Sequence, residues 1–285
     1  MSLRSALTVV ALSLAVATAS AADATFDRTL NTGSTPSVAV ATGSGNIHLH
    51  PGSDNQVHIF AHLHSSHGWM SGDVDSRIHQ IVNHPPIVQN GNEIVIGPEH
   101  YDADLYSNIS IDYDITLPRA STLATTTGSG DIHIENVGAS LKAQSGSGNV
   151  QANGVQGPAI LGTGSGNIDF QQTAPGDVKA ETGSGNITLH GISGALKSST
   201  GSGDITVEGH PTTAWKLETG SGNIHLAVGN AHFNLDADTG SGSINIAQPI
   251  TMQGSLNRHH INGSVNGGGP IVRATTGSGD IEIKD

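Results

Sequence analysis

The sequence contains no cysteine, aromatic residues make up 3% of it, and Lys and Arg number 11 against 24 Asp and Glu. Without cysteine there is neither a disulfide framework nor a lipid-modified N-terminal thiol. The formal charge of −13 and the scarcity of cations argue against a nucleic-acid partner, because phosphate binding needs clustered Lys and Arg. Long apolar runs are also lacking. The one extended apolar stretch, residues 6–17, is short for a bilayer that needs about 20 residues. It follows Arg4 and precedes Ala19-Ser20-Ala21, the pattern of a cleaved export signal over residues 1–21. The expectation is an exported protein, periplasmic, cell-surface or secreted, with no membrane span once the signal is removed.

Glycine, in contrast, is abundant at 38 residues, and it is not scattered. The tetrapeptide Thr/Ser-Gly-Ser-Gly occurs nine times, with its first glycine at Gly43, Gly128, Gly146, Gly164, Gly183, Gly201, Gly220, Gly240 and Gly277. From Gly128 to Gly240 the steps are 18 to 20 residues, and the last step of 37 has the length of two such units. Self-similarity at a fixed period is the mark of a repeat architecture. Each copy is followed by Asp, Asn or, once, Ser243, and then by Ile or Val, so the unit is a glycine turn feeding a strand.

Between turns the apolar residues alternate at period two, which places them on one face of a strand. Ile132 with Ile134, Val150 with Ala152, Ile168 with Phe170, Ile187 with Leu189, Ile205 with Val207, Ile224 with Leu226, Ile244 with Ile246 and Ile281 with Ile283 form one inward set. Leu141 with Ala143, Ala159 with Leu161, Val178 with Ala180, Leu196 with Ser198, Trp215 with Leu217 and Phe233 with Leu235 form a second. Two short strands cannot bury a face alone, but stacked coils can, at about 4.8 Å per layer. The fold expected is therefore all-β: a parallel β-solenoid with coils of about 18–20 residues. The glycines supply positive φ at the corners. Asp131, Asn149, Asn167, Asn186, Asp204, Asn223 and Asp280 are expected to bond their own turns and stack as a ladder.

Residues 22–120 depart from the period and are expected to form a β-rich cap holding the first Gly-Ser-Gly unit, with residues 121–285 as the solenoid continuous with it. Within the cap, residues 57–63 and 110–117 alternate as strands. Ile78, Ile81 and Val82 have helical spacing, with Asp73 or Asp75 as N-cap, and Pro85-Pro86 ends that helix. Asn90-Gly91 makes a tight turn before a strand at 93–96. At the other end, Gly267 to Gly269 and the charged finish from Glu282 to Asp285 are expected to close the stack.

The repeated Thr-Gly-Ser-Gly-Asp/Asn-Ile, the strand Ile109-Ser-Ile-Asp-Tyr-Asp-Ile-Thr-Leu-Pro118 and the segment Asn262-Gly-Ser-Val-Asn-Gly-Gly-Gly269 together resemble a bacterial putative-adhesin family of β-strand repeat proteins. The family's Ile-Asn-Gly-Gly-Gly is interrupted here by Ser264-Val265-Asn266. What the resemblance implies is an envelope or surface β-solenoid, with no catalytic residues to carry over.

Sixteen histidines are the main chemical lure. His48 and His50 share one strand face, as do His58, His62 and His64, and imidazole clusters suit zinc or copper. Because Val57, Ile59, Ala61 and Leu63 form the inward set, His58, His62 and His64 are expected simply to point to solvent, with no compact carboxylate–histidine set beside them. Calcium is not expected, since the nine-residue calcium-repeat signature has Asp two places past a glycine, and here Asp or Asn follows directly. Asp112 and Asp114 lie at period two, as a polysaccharide-cleaving pair could, but they sit in the family's structural strand. No Gly-x-Ser-x-Gly elbow, phosphate loop or dinucleotide fingerprint occurs. No catalytic, cofactor-binding or metal residue is assigned. The function expected is a non-enzymatic, adhesin-like interaction module for glycans, envelope polymers or surface proteins. Its outward residues are His133, Glu135, Gln151, Asp169, Thr188, Thr206, Glu208, His225 and Asn245. The alternatives are a structural or regulatory envelope accessory, or a polysaccharide-active enzyme.

Overall fold

A computed structural model describes residues 23–65, 72–97, 103–252 and 258–284; the expected export signal lies outside these residues. Two long sheets, of 12 and 13 strands, face each other across one hydrophobic core, and most strand pairs are parallel. The chain is a β-solenoid. In a regular coil, Thr122–Ser129 lies in the 13-stranded sheet, a glycine corner follows, and Ile132–Glu135 lies in the 12-stranded sheet. Leu123, Thr125 and Thr127 point inward from the first strand, Ile132 and Ile134 from the second, all at 2% exposure or less. Period-two alternation dictates this, and every inward pair expected from the sequence is buried except Ile244 and Ile246, which pack half-buried against the core in the outermost layer. The largest core side chain, Trp215, donates its indole N–H to the Gly194 carbonyl at 2.9 Å, so its one polar atom is satisfied.

The repeated corner has a physical reason at its second glycine, at its leading Thr or Ser and at the Asp or Asn that follows it. Gly130 has φ of 152°, and a Cβ there would lie 2.1 Å from the Gly45 carbonyl oxygen of the layer below. Close stacking thus demands glycine as firmly as the backbone angle does. The preceding Thr or Ser is buried, with its hydroxyl donating to the second glycine's carbonyl in the adjacent layer, as from Thr127 to Gly45 at 3.0 Å and from Thr163 to Gly148 at 2.8 Å. The Asp/Asn ladder also differs from a set of self-bonded turns. Each side-chain oxygen accepts the backbone N–H of its counterpart one layer on, as Asn149 does from Asn167 at 2.9 Å. The ladder reaches beyond the seven residues expected: it starts at Asp112, passes through Asn46, and ends on Ser243.

Layer order is not chain order. The first unit, Ser37–Ser44 with Ile47–Pro51, lies between the layer of Glu93–Ile96 with Ile109–Leu117 and the layer beginning at Thr122. At the other end, the last strands, Ile271–Ser278 and Ile281–Lys284, are inserted between Trp215–Ser221 with Ile224–Ala227 and Phe233–Thr239 with Ile244–Ile246. The 37-residue step is therefore not two stacked units. It carries Ile250–Met252 and His260–Val265, which cap the outer layer with antiparallel pairing, and a turn at Gly267 and Gly268 that leads back inward. The charged C-terminal strand is interior to the stack and does not close it.

Ten layers at about 4.8 Å give a stack about 43 Å long. Its first end is covered by Ala24–Asn31, Gln56–Ser65 and Ile87–Asn90, all paired antiparallel, which leaves little parallel edge open to another chain. Helix Gly72–Asn83 packs Val74, Ile78 and Ile81 into the core. Asp73 and Asp75 lie in its first turn, where carboxylates favour the helix dipole, and not at the cap. The turn at Asn90-Gly91 forms as expected, with Gly91 at φ 60°.

Candidate histidine–carboxylate site

The threading of the first unit assembles a site on the outer face of the 12-stranded sheet. Strand Ile109–Leu117 lies between Gln56–Ser65 on one side and Ile47–Pro51 on the other. Its inward residues Ile111, Tyr113 and Ile115 are buried, so alternation turns Asp112 and Asp114 outward. The neighbours do the same: burial of Val57, Ile59, Ala61 and Leu63 turns His58, His62 and His64 out, and burial of Ile47 and Leu49 turns out His48 and His50. An Asp-x-Asp strand is thereby flanked on both sides by His-x-His.

The expectation that no compact carboxylate–histidine set accompanies the histidines is overturned. Asp114 bridges two imidazoles, with Oδ1 at 2.7 Å from His50 Nε2 and Oδ2 at 3.3 Å from His48 Nδ1. The His48 and His50 rings stack at a centroid distance of 4.8 Å, and His133 from the next strand lies 5.0 Å from His48. His133 meets Glu135 at 2.6 Å and Gln151 at 3.0 Å. On the other side of the aspartate strand, Asp112 Oδ2 lies 3.5 Å from His64 and 3.9 Å from His62, while its Oδ1 begins the ladder. His58 pairs with Asp27 at 2.8 Å and stands apart from both sets. Three groups could each surround a metal ion: His48 with His50 and Asp114, His48 with His133 and Glu135, and His62 with His64 and Asp112.

The electrostatics follow from these contacts. Partial burial works to raise the Asp114 pKa, but hydrogen bonds and charge from His50 and His48 outweigh it, and the carboxyl sits below the ordinary aspartate range. Glu135 is likewise lowered, first by its hydrogen bond to His133 and then by that residue's charge. His48 Nε2 is inaccessible to solvent and has no hydrogen-bond partner. The signal in the sequence was Asp112-x-Asp114; the missing information was that this strand registers against residues 64 to 66 positions away.

The opposite sheet carries a second pattern that composition hid. Register places Lys142, Ile160, Lys179, Lys197, Lys216 and Arg273 in one outward row across six successive layers. Four of the five lysines in the chain thus share one line. Glu181 bridges Lys179 and Lys197 at 2.7 and 2.8 Å, Glu218 pairs with Lys216 at 2.8 Å, and Asp236 with Arg273 at 3.2 Å. Cations are few in this protein but they are clustered. The other outward residues expected from the sequence, from His133 through Asn245, all lie on the outer face of the 12-stranded sheet.

No helix among the described residues is long and apolar enough to cross a membrane. Two solved structures are similar in part. A putative cell adhesion protein from Clostridium sporogenes ATCC 15579 is 13% identical, over 92% of this chain and 99% of that one, with a TM-score of 0.24. A putative adhesin from Bacteroides fragilis NCTC 9343 is 13% identical, over 92% and 96%, with a TM-score of 0.30. Likeness at that level carries no argument about this chain. No curated protein matches it. The model of the Toastrack DUF4097 family matches residues 30–284, nearly the whole of the described structure, and the chain belongs to that family.

Proposed function

We propose that this protein is a non-enzymatic, exported interaction module of the cell envelope or surface, and that the cationic row binds an extended acidic polymer such as a uronic-acid glycan. The observation that carries this reading is the placement of five cations in one line over six layers, a span of about 24 Å at 4.8 Å per layer. Like charges stacked at that distance repel by about 0.9 kcal/mol per pair even in water, so the arrangement is not one that stability alone favours. Three acidic neighbours relieve part of the repulsion and leave cations in excess. A polymer with one anionic group per unit meets the row repeatedly, and avidity takes the place of a deep pocket. The net charge of −13 opposes a polyanion at long range, but the Debye length of about 8 Å at physiological ionic strength lets the local row govern contact.

The test is binding to polygalacturonate at physiological salt, with neutral dextran and duplex DNA as comparison arms. The expected result is association with the acidic glycan that weakens at least tenfold in the triple variant Lys179→Gln, Lys197→Gln, Lys216→Gln, with no shortening of the polymer. Equal binding by the triple variant, or none by the parent protein at millimolar sugar units, defeats the proposal.

A further inference from the structure

We propose that the outer face around Asp112 and Asp114 is a paired binding site for borderline divalent metal ions, zinc in the first instance, held by His48, His50 and Asp114 and by His62, His64 and Asp112. Two imidazole nitrogens and one carboxylate oxygen are a donor set for zinc with an open position for water. Tetrahedral zinc with bonds of about 2.0–2.1 Å needs its donors about 3.3 Å apart. His48 Nδ1 and Asp114 Oδ2 are 3.3 Å apart already; His50 Nε2 meets the other carboxylate oxygen, Oδ1, at 2.7 Å, and a rotation of the Asp114 carboxyl presents one oxygen to both imidazoles when an ion replaces the shared proton. In the second set, Asp112 lies 3.5 and 3.9 Å from its two imidazoles, a looser version of the same geometry.

Two further observations point to a ligand. The His64 Nδ1 atom, which faces Asp112 Oδ2 at 3.5 Å, is inaccessible and has no hydrogen-bond partner, a polar atom left without compensation inside the second set. His133 and Glu135 stand beside His48, and the Glu135 carboxylate adds to the anionic surround of the first ion. The donors also sit on paired strands, which fix Cα positions across the sheet, so only side-chain torsions remain to be ordered on binding. Copper(II) suits the same donors and would bind more tightly in the Irving–Williams order.

The test uses the full chain, made without a polyhistidine tag, titrated with zinc chloride at pH 7.5 against a chromophoric chelator. Two equivalents are expected at micromolar affinity. His50→Gln should weaken one equivalent at least tenfold and His64→Gln the other, each leaving its companion unchanged, because the two half-buried side chains stand on separate strands on opposite sides of the Asp112–Asp114 strand. The double variant should retain neither. Absence of zinc binding at 100 µM overturns the proposal, and so does unaltered affinity and stoichiometry in the double variant, which would place the ions on other histidines. Histidine ring resonances give the second readout: they should shift for His48, His50, His62 and His64, and selective shifts elsewhere overturn the assignment.

Discussion

Deleting residues 270–285 tests the threading of the C-terminal end. In a solenoid wound in chain order, the last unit is an outer coil with one neighbour, and its loss trims the rod. Here the deleted strands lie inside both sheets, between the layers of Trp215–Ser221 and Phe233–Thr239. Val272, Ile281 and Ile283 are all 0% exposed. Full burial of such side chains contributes about 1.5–3 kcal/mol each, or about 5–9 kcal/mol for the three. Whole domains are stable by only about 5–15 kcal/mol. The deletion also strips backbone partners from four strands at once and parts Trp215 and Leu217 from the layer they pack against. Urea unfolding followed by far-UV circular dichroism is the assay, with limited proteolysis of residues 228–269 alongside. The expected outcome is loss of the cooperative transition or of more than half the unfolding free energy, with cleavage concentrated in the detached outer layer. The milder Ile283→Ala should cost about 2–5 kcal/mol, the range for a core truncation. An intact midpoint and slope in the shortened chain would refute the inserted position of the last coil.

Three other outcomes follow from the same structure. Removing residues 183–200, one internal coil, should leave a cooperative fold, whereas removing nine of those residues should shift every inward side chain beyond it and unfold the stack; equal damage, measured by the same urea titration, would contradict stacked coils. Gly148→Ala should destabilise by about 2 kcal/mol or more, because the residue has φ of 155° and its Cβ would sit 2.0 Å from the Gly130 carbonyl oxygen; Gly91→Ala, at φ 60° with nothing near, should cost about 1 kcal/mol. The lowered pKa of Asp114 means that its stabilising contribution is fully present above the ordinary aspartate value of about 3.9 and is lost as pH falls through the depressed folded value. Since its side chain is 52% exposed, the effect stays below about 1 kcal/mol. Asp114→Asn should therefore be slightly less stable than the parent at pH 6, and the gap should close as pH is lowered below about 4.

The repeat unit was legible because its demands are local. Alternation of Ile132 with Ile134, or Trp215 with Leu217, fixes which side chains face inward whatever lies in the next layer. Glycine before Asp or Asn marks the corner for the same reason. Layer order is not local. Each unit presents a similar Thr-Gly-Ser-Gly corner, so Thr276 can bond the Gly222 carbonyl as readily as Thr219 bonds that of Gly203. Nothing in a single unit specifies which other unit it meets. The information lies in the segments without the motif, such as His260–Val265, whose antiparallel pairing on Phe233–Thr239 occupies the outer edge and leaves the inner one to the returning strand.

The threading also decides both proposed surfaces. If the chain stacked in order, the Asp112 and Asp114 strand would meet Ile132–Glu135 directly. The insertion of Ile47–Pro51 between them gives His48 a carboxylate on one side and His133 on the other. At the far end, stacking in order would set Asp236 against Lys216; the inserted last coil places Arg273 there, so the cationic row gains a fifth member before it reaches a carboxylate. The two exchanges of layer order therefore change which charges are neighbours on the outer faces while leaving every inward position occupied by the same kind of residue. Core burial is indifferent to the exchange, since Ile283 and Ile246 offer nearly the same side chain to Leu226. The outer faces are not indifferent, and it is there that the threaded order has chemical consequences.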